Sequence, residues 1–528
     1  MMTMRCSVFA VLCSVLSYQT FAADKSHPVT VTVDADGLKA VRVSIVGKGK
    51  SSFAPAGVRQ RKTSKGVPYF YAPVQFKLQL PAGQFQLFVA AGTEFVPSSR
   101  KISIKGRSSL QVRLGRWSNL AKQGWYAGDS HVHLHTGGPI QVTTRDALLA
   151  AQAEGIHYVN LCVSNNVGDD IRDEDLITGK PHEHSTKNHL LVFGEEMRSM
   201  IYGHMQFFGI RKFVEPQYTG FKNTPNSFDY PANFVMAANA TAQGGVVTYG
   251  HPMFKGQPLP FGKDPTANNA AARELPIDAI LGVVQAIDIM GYNSDEDLST
   301  ELWYKLLNCG LRLSACVGTD ALLDQSTDPM GGSRVYVQVN GKLTQKKWLT
   351  GLKQGRTFVT NGPTLSLKVE GQGPGSTVKI GQAGQVRIHG STTSYAPIDR
   401  VEIIVNGKVT RRLPVSKPTK KGSLHQLKFD GKVRLDKSSW LALRVRGGEH
   451  AHLFDGPAFA HTSPVFVRVG NLPIRSRKDA TYFVEWINQL IRVVTLRNGY
   501  KSEADRKKVV ALFRRAQAKF QKMAEKSK

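Results

Sequence analysis

The chain has 528 residues, 41% of them hydrophobic and 21% charged, with 49 Gly and 25 Pro. That is enough apolar material for two to four domain cores, and it excludes disorder and collagen-like repetition. The 69 Lys and Arg against 40 Asp and Glu give a formal charge of +29, which favours anionic partners or substrates and says nothing about fold.

Residues 1–22 read as a secretory signal peptide: Arg5 precedes an apolar stretch from Val8 to Leu16, and Thr20 and Ala22 stand at the −3 and −1 spacing for cleavage after Ala22. No later segment is apolar for long enough to span a bilayer, so the reading is of an exported soluble protein, periplasmic or extracellular, with no transmembrane segment. Cys6 and Cys13 leave with that segment. Cys162 and Cys316 lie in the apolar runs YVNLCV and LRLSACV, and no C-x-x-C occurs. The thiols therefore read as small core residues, not as a disulfide scaffold or a thiolate metal site.

An N-terminal β-sandwich is expected over residues 24–118, where VTVTVDADG, VRVSIVG and FKLQLPAGQFQLFVAAG alternate or run apolar between turn residues. Its basic, aperiodic stretch Ser51 to Val67 reads as an exposed loop. Residues 119–361 change texture. Thr144 can cap the helix RDALLAAQAE before Gly155, and the runs HYVNLCV, LLVF, HMQFFGI, VVTY, AILGVVQAIDIM and LRLSACV are interleaved with the helices NFVMAANATAQ and STELWYKLLN. Six or seven such units predict parallel βα units closing into a barrel-like layer; an open, doubly wound sheet is the other arrangement this pattern allows. A second β-domain follows over 362–472, with a hairpin signal at Asn406-Gly407. The tail, 473–528, reads as a packed helical hairpin: Phe483, Ile487, Leu490 and Val494 mark one stripe, Val509, Leu512, Phe513 and Phe520 another, and Ser502-x-x-Asp505 a helix start.

Nine of the fifteen histidines fall between His131 and His251, less than a quarter of the chain. On a strand, residues two apart share a face, so His131 and His133 of GDSHVHLH can reach one ion together. Glu195 and Glu196 follow LLVF, His204 opens HMQFFGI, His251 follows VVTYG, and Asp320 follows LSACVGT. Imidazole and carboxylate groups gathered at strand ends are the donor set of a metal site at the loop-bearing face of an α/β enzyme.

GWYAGDSHVH, GEEMRSMIYGHMQFFG, YGHP, VGTDA and GRTFVTNGP together resemble the carbaryl-hydrolase-like (CehA/McbA) branch of the polymerase and histidinol phosphatase (PHP) metallohydrolase superfamily, over nearly the whole mature chain. The resemblance implies a distorted (β/α)7 barrel between the two β-domains, with metal held by His131, His133, Glu196, His204, His251 and Asp320. Glu195 replaces Glu196 if the strand register differs by one. It also implies hydrolysis by a metal-bound water, with His131, Glu196 and Asp320 as its catalytic surroundings. Where relatives carry a third-metal set, this chain has Asn165-Asn166 and Asp320-Ala321-Leu322, so two divalent ions (Zn, Mn or Fe) are expected. Asp129 is expected to orient an imidazole, and His135 to be recruited only outside the motif. Arg198, Lys255 and Arg334 are the cations nearest in sequence, each reading first as a solvated surface residue.

The expected function is an exported metal-dependent hydrolase acting on phosphoesters, or on carboxylic or carbamate esters, with a small-molecule or anionic ester as substrate. Nucleic acid enters only as a possible substrate, because the basic residues are spread over every segment and not gathered around aromatics. The alternative is a catalytically silent secreted protein that binds metal or glycans through its β-domains.

Overall fold

The computed structural model describes residues 26–164, 167, 171–256, 260–262, 270–415, 424–497 and 499–526; residues 1–22, expected to be a signal peptide, and the Asn165-Asn166 pair lie outside these. Among the described residues the protein is mixed α/β, with many strands in large sheets and seven α-helices, the last two paired at the C-terminus. No helix among them is long and apolar enough to cross a membrane.

Residues 26–113 build two sheets on one apolar cluster. Ser26–Asp34 lies between Gln75–Pro81 and Ser108–Arg113, and a five-stranded sheet is centred on Ala40–Val46. The alternating pattern buries Val29, Val31, Leu78 and Leu80 from one sheet against Val41, Val43, Leu87 and Val89 from the other. The segment expected to be an exposed loop is partly docked instead. Arg61 is buried, and its guanidinium donates to the Leu323 carbonyl at 2.8 Å.

The next elements are Trp125–His133 (β1), Thr144–Glu154 (α1), Tyr158–Val163 (β2), Leu190–Ser199 (β3), Gly203–Phe208 (β4), Asn233–Ala242 (α2), Val246–Tyr249 (β5), Leu275–Leu281 (α3), Ala286–Met290 (β6), Glu296–Asn308 (α4), Ser314–Val317 (β7), Arg334–Gln338 (β8), Gln345–Lys353 (α5) and Thr357–Thr360 (β9). The cap of α1 is Thr143, not Thr144. The reciprocal carboxylate, Asp146, stands three residues after Thr143: its Oδ2 accepts from the Thr143 N–H at 2.7 Å while the Thr143 hydroxyl accepts from the Asp146 N–H. The alanine-rich face of α1 packs on the N-terminal sheet, where Glu154 and Arg42 form a buried ion pair at 2.7 Å.

Strands β1, β2 and β3 are parallel, as are β5, β6 and β7. Between the two groups β4 runs antiparallel to both β3 and β5, which departs from the expected all-parallel run. Three residues separate β3 from β4, and a parallel connection needs a crossover of a dozen or more. The far ends meet where the Asp320 N–H donates to the His131 carbonyl at 2.8 Å and Ala321–Leu322 pairs in parallel with Val132–His133.

The ladder runs on without a break into the C-terminal strands. β1 pairs with β8, β8 with β9, and β9 with Phe459–Thr462. The Asn406-Gly407 turn joins Ile398–Val405 to Lys408–Leu413 with both residues at positive φ. The tail helices Arg477–Arg497 (α6) and Glu503–Glu525 (α7) pack Phe483 on Phe520, ring centroids 5.1 Å apart. They are tied to the α/β unit by Trp486, which donates to the Arg273 carbonyl, and by Arg497, which pairs with Asp229.

Candidate metal centre

Five separate segments bring His131, His133, Glu196, His204, His251 and Asp320 to one place. His131 and His133 leave the same face of β1 near its carboxyl end. Glu196 lies inside β3, which extends past LLVF through both glutamates; His204 is the second residue of β4, opposite Arg198; His251 follows β5 and Asp320 follows β7. Glu196 Oε1 is 3.3 Å from His131 Nε2, 3.2 Å from His204 Nδ1 and 3.7 Å from His251 Nε2, while its Oε2 is 3.4 Å from His133 Nε2. Asp320 Oδ1 is 3.3 Å from His131 Nε2 and 3.2 Å from His133 Nε2. Five of the six donors form two groups that share His131, one with Glu196 and His251 and the other with His133 and Asp320; His204 belongs to neither and meets the cluster through Glu196.

This donor set fits a divalent cation. The Nε2 atoms of His131 and His133 face each other at 3.0 Å, an arrangement of two lone pairs that needs a proton or a cation between them. His133 Nδ1 donates to the Cys162 carbonyl at 3.0 Å, so its Nε2 lone pair is directed into the cluster. The Gln206 amide lies 3.1 Å from His131 Nδ1, and its Oε1 is buried without a partner. With the amide turned so that Oε1 accepts from Nδ1–H, His131 also presents its Nε2 lone pair inward. His251 Nδ1 is likewise buried without a partner. The residues can therefore hold a metal ion.

Electrostatics favour a charged site. Burial would raise the Glu196 carboxyl, but Arg198, whose Nε is 2.6 Å from Oε2, and His131 hold it well below the ordinary range. Burial would also raise Asp320, and His131 and the bond to His133 bring it down. The His131 imidazole, which burial would lower, is lifted to about 9 by Asp320 and Glu196. His204 moves the other way, to about 4, because its burial outweighs its bond to Glu196.

The backbone is shaped to make this convergence. His251 and Asp320 both have left-handed φ, +30° and +57°, the kind of local strain that persists only where surrounding structure enforces it. Gly318 admits no side chain: a Cβ there would lie 2.4 Å from His131 Cβ and 2.6 Å from Asp288 Oδ2.

Glu195 points away, its Oε2 accepting from the Val214 N–H at 2.8 Å, so Glu196 is the glutamate in the cluster. Asp129 does not touch an imidazole. Its carboxylate accepts from the N–H groups of His131, Thr319 and Gly331 and from the Thr319 hydroxyl, fixing backbone on both sides of the site. His135 is held away by Asp173 and the Val142 carbonyl. Of the three cations, Arg198 lies against Glu196, Lys255 pairs with Glu296 and Asp455, and Arg334 is buried on the carbonyls of Gly331 and Glu154. The expected surface setting fails for Arg198 and Arg334, because the Glu196 carboxylate holds the first and the Gly331 and Glu154 carbonyls hold the second.

Two contributors escaped the sequence reading. Gln206 is two residues beyond His204 on β4, a spacing that was the one available signal. Asn293, whose Nδ2 donates to Asp320 Oδ2 at 2.7 Å, sits in a loop after β6 with nothing in its neighbourhood to mark it. Comparison of the chain with protein-family models and with curated proteins gives no match.

Proposed function

We propose that the chain is an exported, metal-dependent ester hydrolase of the carbaryl-hydrolase-like branch of the PHP superfamily, its central region a distorted (β/α)7 barrel between two β-sandwiches. The observation that carries this reading is the gathering of three imidazoles and two carboxylates into two adjoining donor groups, with a fourth imidazole, His204, against Glu196. The sharing of His131 between two donor groups suits two ions, and mixed nitrogen and oxygen donors suit Zn, Mn or Fe.

A divalent cation held by these residues supplies Lewis acidity and lowers the pKa of coordinated water toward about 7. The chain's own groups do the rest. Glu196, kept ionised by Arg198, ties the two donor groups together. Asp320 is held by Asn293 through Oδ2, which leaves Oδ1 facing His131 and His133 as a donor to the cation. Gln206 and the Cys162 carbonyl fix the ring orientations of His131 and His133.

Phosphoesters are the first substrate class and carboxylic or carbamate esters the second, since the charge of +29 favours anions. The test is turnover of bis(p-nitrophenyl) phosphate and of p-nitrophenyl acetate by the metal-loaded protein. Activity abolished by chelation and by Glu196→Ala supports the reading. A protein that holds its metal yet cleaves no phosphoester, carboxylic ester or carbamate contradicts it.

A further inference from the structure

A second concave site lies at the end of β7 opposite the metal centre. Arg312 stands two residues before this strand and Asp320 three residues past it, so the strand separates them. Here α5, the turn from α5 into β9 and the C-terminal strands enclose a cavity of about 400 Å³, whose walls include Arg312, Lys353, Arg356, Gly375, Ser376 and Phe466. That volume falls in the range of small-molecule sites, about 300–1,000 Å³.

The charge of the cavity has one sign. Three cations line it, and no carboxylate does among the described residues. Arg312 donates to the Thr377 hydroxyl and lies over the Phe466 ring, 4.3 Å from its centroid. Lys353 Nζ donates to the Gly244 carbonyl at 3.4 Å, and Arg356 Nε is buried with no hydrogen-bond partner. None of these contacts supplies a counter-charge. Burial lowers the pKa of both Arg312 and Lys353, and the nearby Arg468 lowers Arg312 further. Cations enclosed at other junctions sit on carboxylates instead: Arg42 on Glu154, Lys255 on Glu296 and Asp455, Arg444 on Glu402. Capping of α5 does not require the three cations either, because its last carbonyls accept from the N–H groups of Gln354, Gly355 and Arg356 and from the Ser314 hydroxyl. A cleft lined by one sign of charge focuses its field on an ion of the other sign. Guanidinium groups match planar or tetrahedral oxyanions through paired N–H donors, and Ser376 adds a hydroxyl to the wall.

We infer that this cavity binds a small molecule carrying two or more oxyanionic groups, at a site separate from the metal centre. A bounded cavity, and not an extended stripe of cations, selects a small polyanion over a polymer.

The test is isothermal titration calorimetry of the metal-loaded protein at fixed ionic strength with benzene-1,3-disulfonate, a dianion whose sulfonates are poor metal ligands. Benzenesulfonate is the singly charged comparison, and dextran sulfate of increasing length is the polymer. One disulfonate per chain is expected to bind, more tightly than the monosulfonate. Loss of one charge-assisted contact weakens binding by about 10- to 100-fold, the loss expected for Arg356→Gln. Lys353→Gln, which supplies the comparison if the first variant does not fold, is expected to weaken it by about threefold. Arg113→Gln, at an exposed pair with Asp34 on the N-terminal sheet, is expected to change nothing. Glu196→Ala is also expected to bind the disulfonate as the wild type does, which places the anion away from the metal. A structural role for Arg356 would lower the melting temperature of the free protein in Arg356→Gln, whereas an unpaired cation held for a ligand would not. Equal losses in Arg113→Gln and Arg356→Gln, binding that disappears with Glu196→Ala, or affinity found only for dextran sulfate and rising with its length would each overturn the inference.

Discussion

Gly318→Ala is the smallest change that tests whether the site is built as described. The glycine is not in the left-handed region, so alanine brings no backbone strain, and the effect is steric alone. The added Cβ meets His131 Cβ at 2.4 Å, Asp288 Oδ2 at 2.6 Å and Ser130 Oγ at 2.8 Å. None of these is the free end of a flexible chain: the His131 carbonyl accepts from Asp320 N–H, and Ser130 Oγ donates to Asp288 at 3.0 Å. Overpacking at such a point costs about 1–3 kcal/mol. Taking about 2 kcal/mol, the melting temperature of the unit that includes the site falls by about 4–8 °C. Because the displaced atom belongs to a proposed ligand, metal affinity falls as well. Differential scanning calorimetry with and without added metal reads both, and Gly381→Ala, where nothing lies within 4 Å of the new Cβ, is the control. A Gly318→Ala protein that melts with the control and binds metal as tightly would refute the close approach of β1 to the loop carrying Asp320.

Gln206→Leu removes the partner of His131 Nδ1 while filling the same space, and metal affinity is expected to fall about 10- to 100-fold with the fold retained; an unchanged titration curve would show that the amide does not orient the ring. Arg61→Ala leaves the Leu323 carbonyl without its donor three residues past Asp320; the N-terminal unit should stay folded while amides of residues 320–328 exchange faster, and unchanged exchange there would contradict the docking. His461 is buried and depressed to about 3, first by desolvation and then by Arg444. A histidine held neutral in the fold contributes stability that is present above its unfolded pKa near 6.5 and lost as pH falls toward 3. The stability gap between the wild-type protein and His461→Gln should therefore narrow by about 1.4 kcal/mol per pH unit below 6.5 in urea titrations, and a pH-independent gap would show that His461 is charged in the fold.

Much of the site was legible because its donors sit in short motifs where residue type and local spacing suffice. His131 and His133 share a face by strand period alone, and Glu196, His204, His251 and Asp320 each abut an apolar run. What was not legible depends on partners distant in sequence. The orientation of Asp129 toward backbone is set by residues 190 and 202 positions away, and the choice of Glu196 over Glu195 by strand register. The antiparallel β4 could have been inferred from the three-residue connection, but its apolar run looks like that of a parallel strand. The unbroken ladder from β9 into Phe459–Thr462 spans a hundred residues of sequence, and no local pattern announces it. Arg334 looked like surface because a charged residue at the start of a strand usually is; here its guanidinium is saturated by carbonyls of two other segments.

The most direct test of the central claim is elemental analysis of the purified protein after dialysis against metal-free buffer, beside His131→Ala and Glu196→Ala. The account predicts two tightly held divalent ions per chain, lost in both variants while circular dichroism shows the folds intact. A folded wild-type protein that holds no metal even after reloading would contradict it.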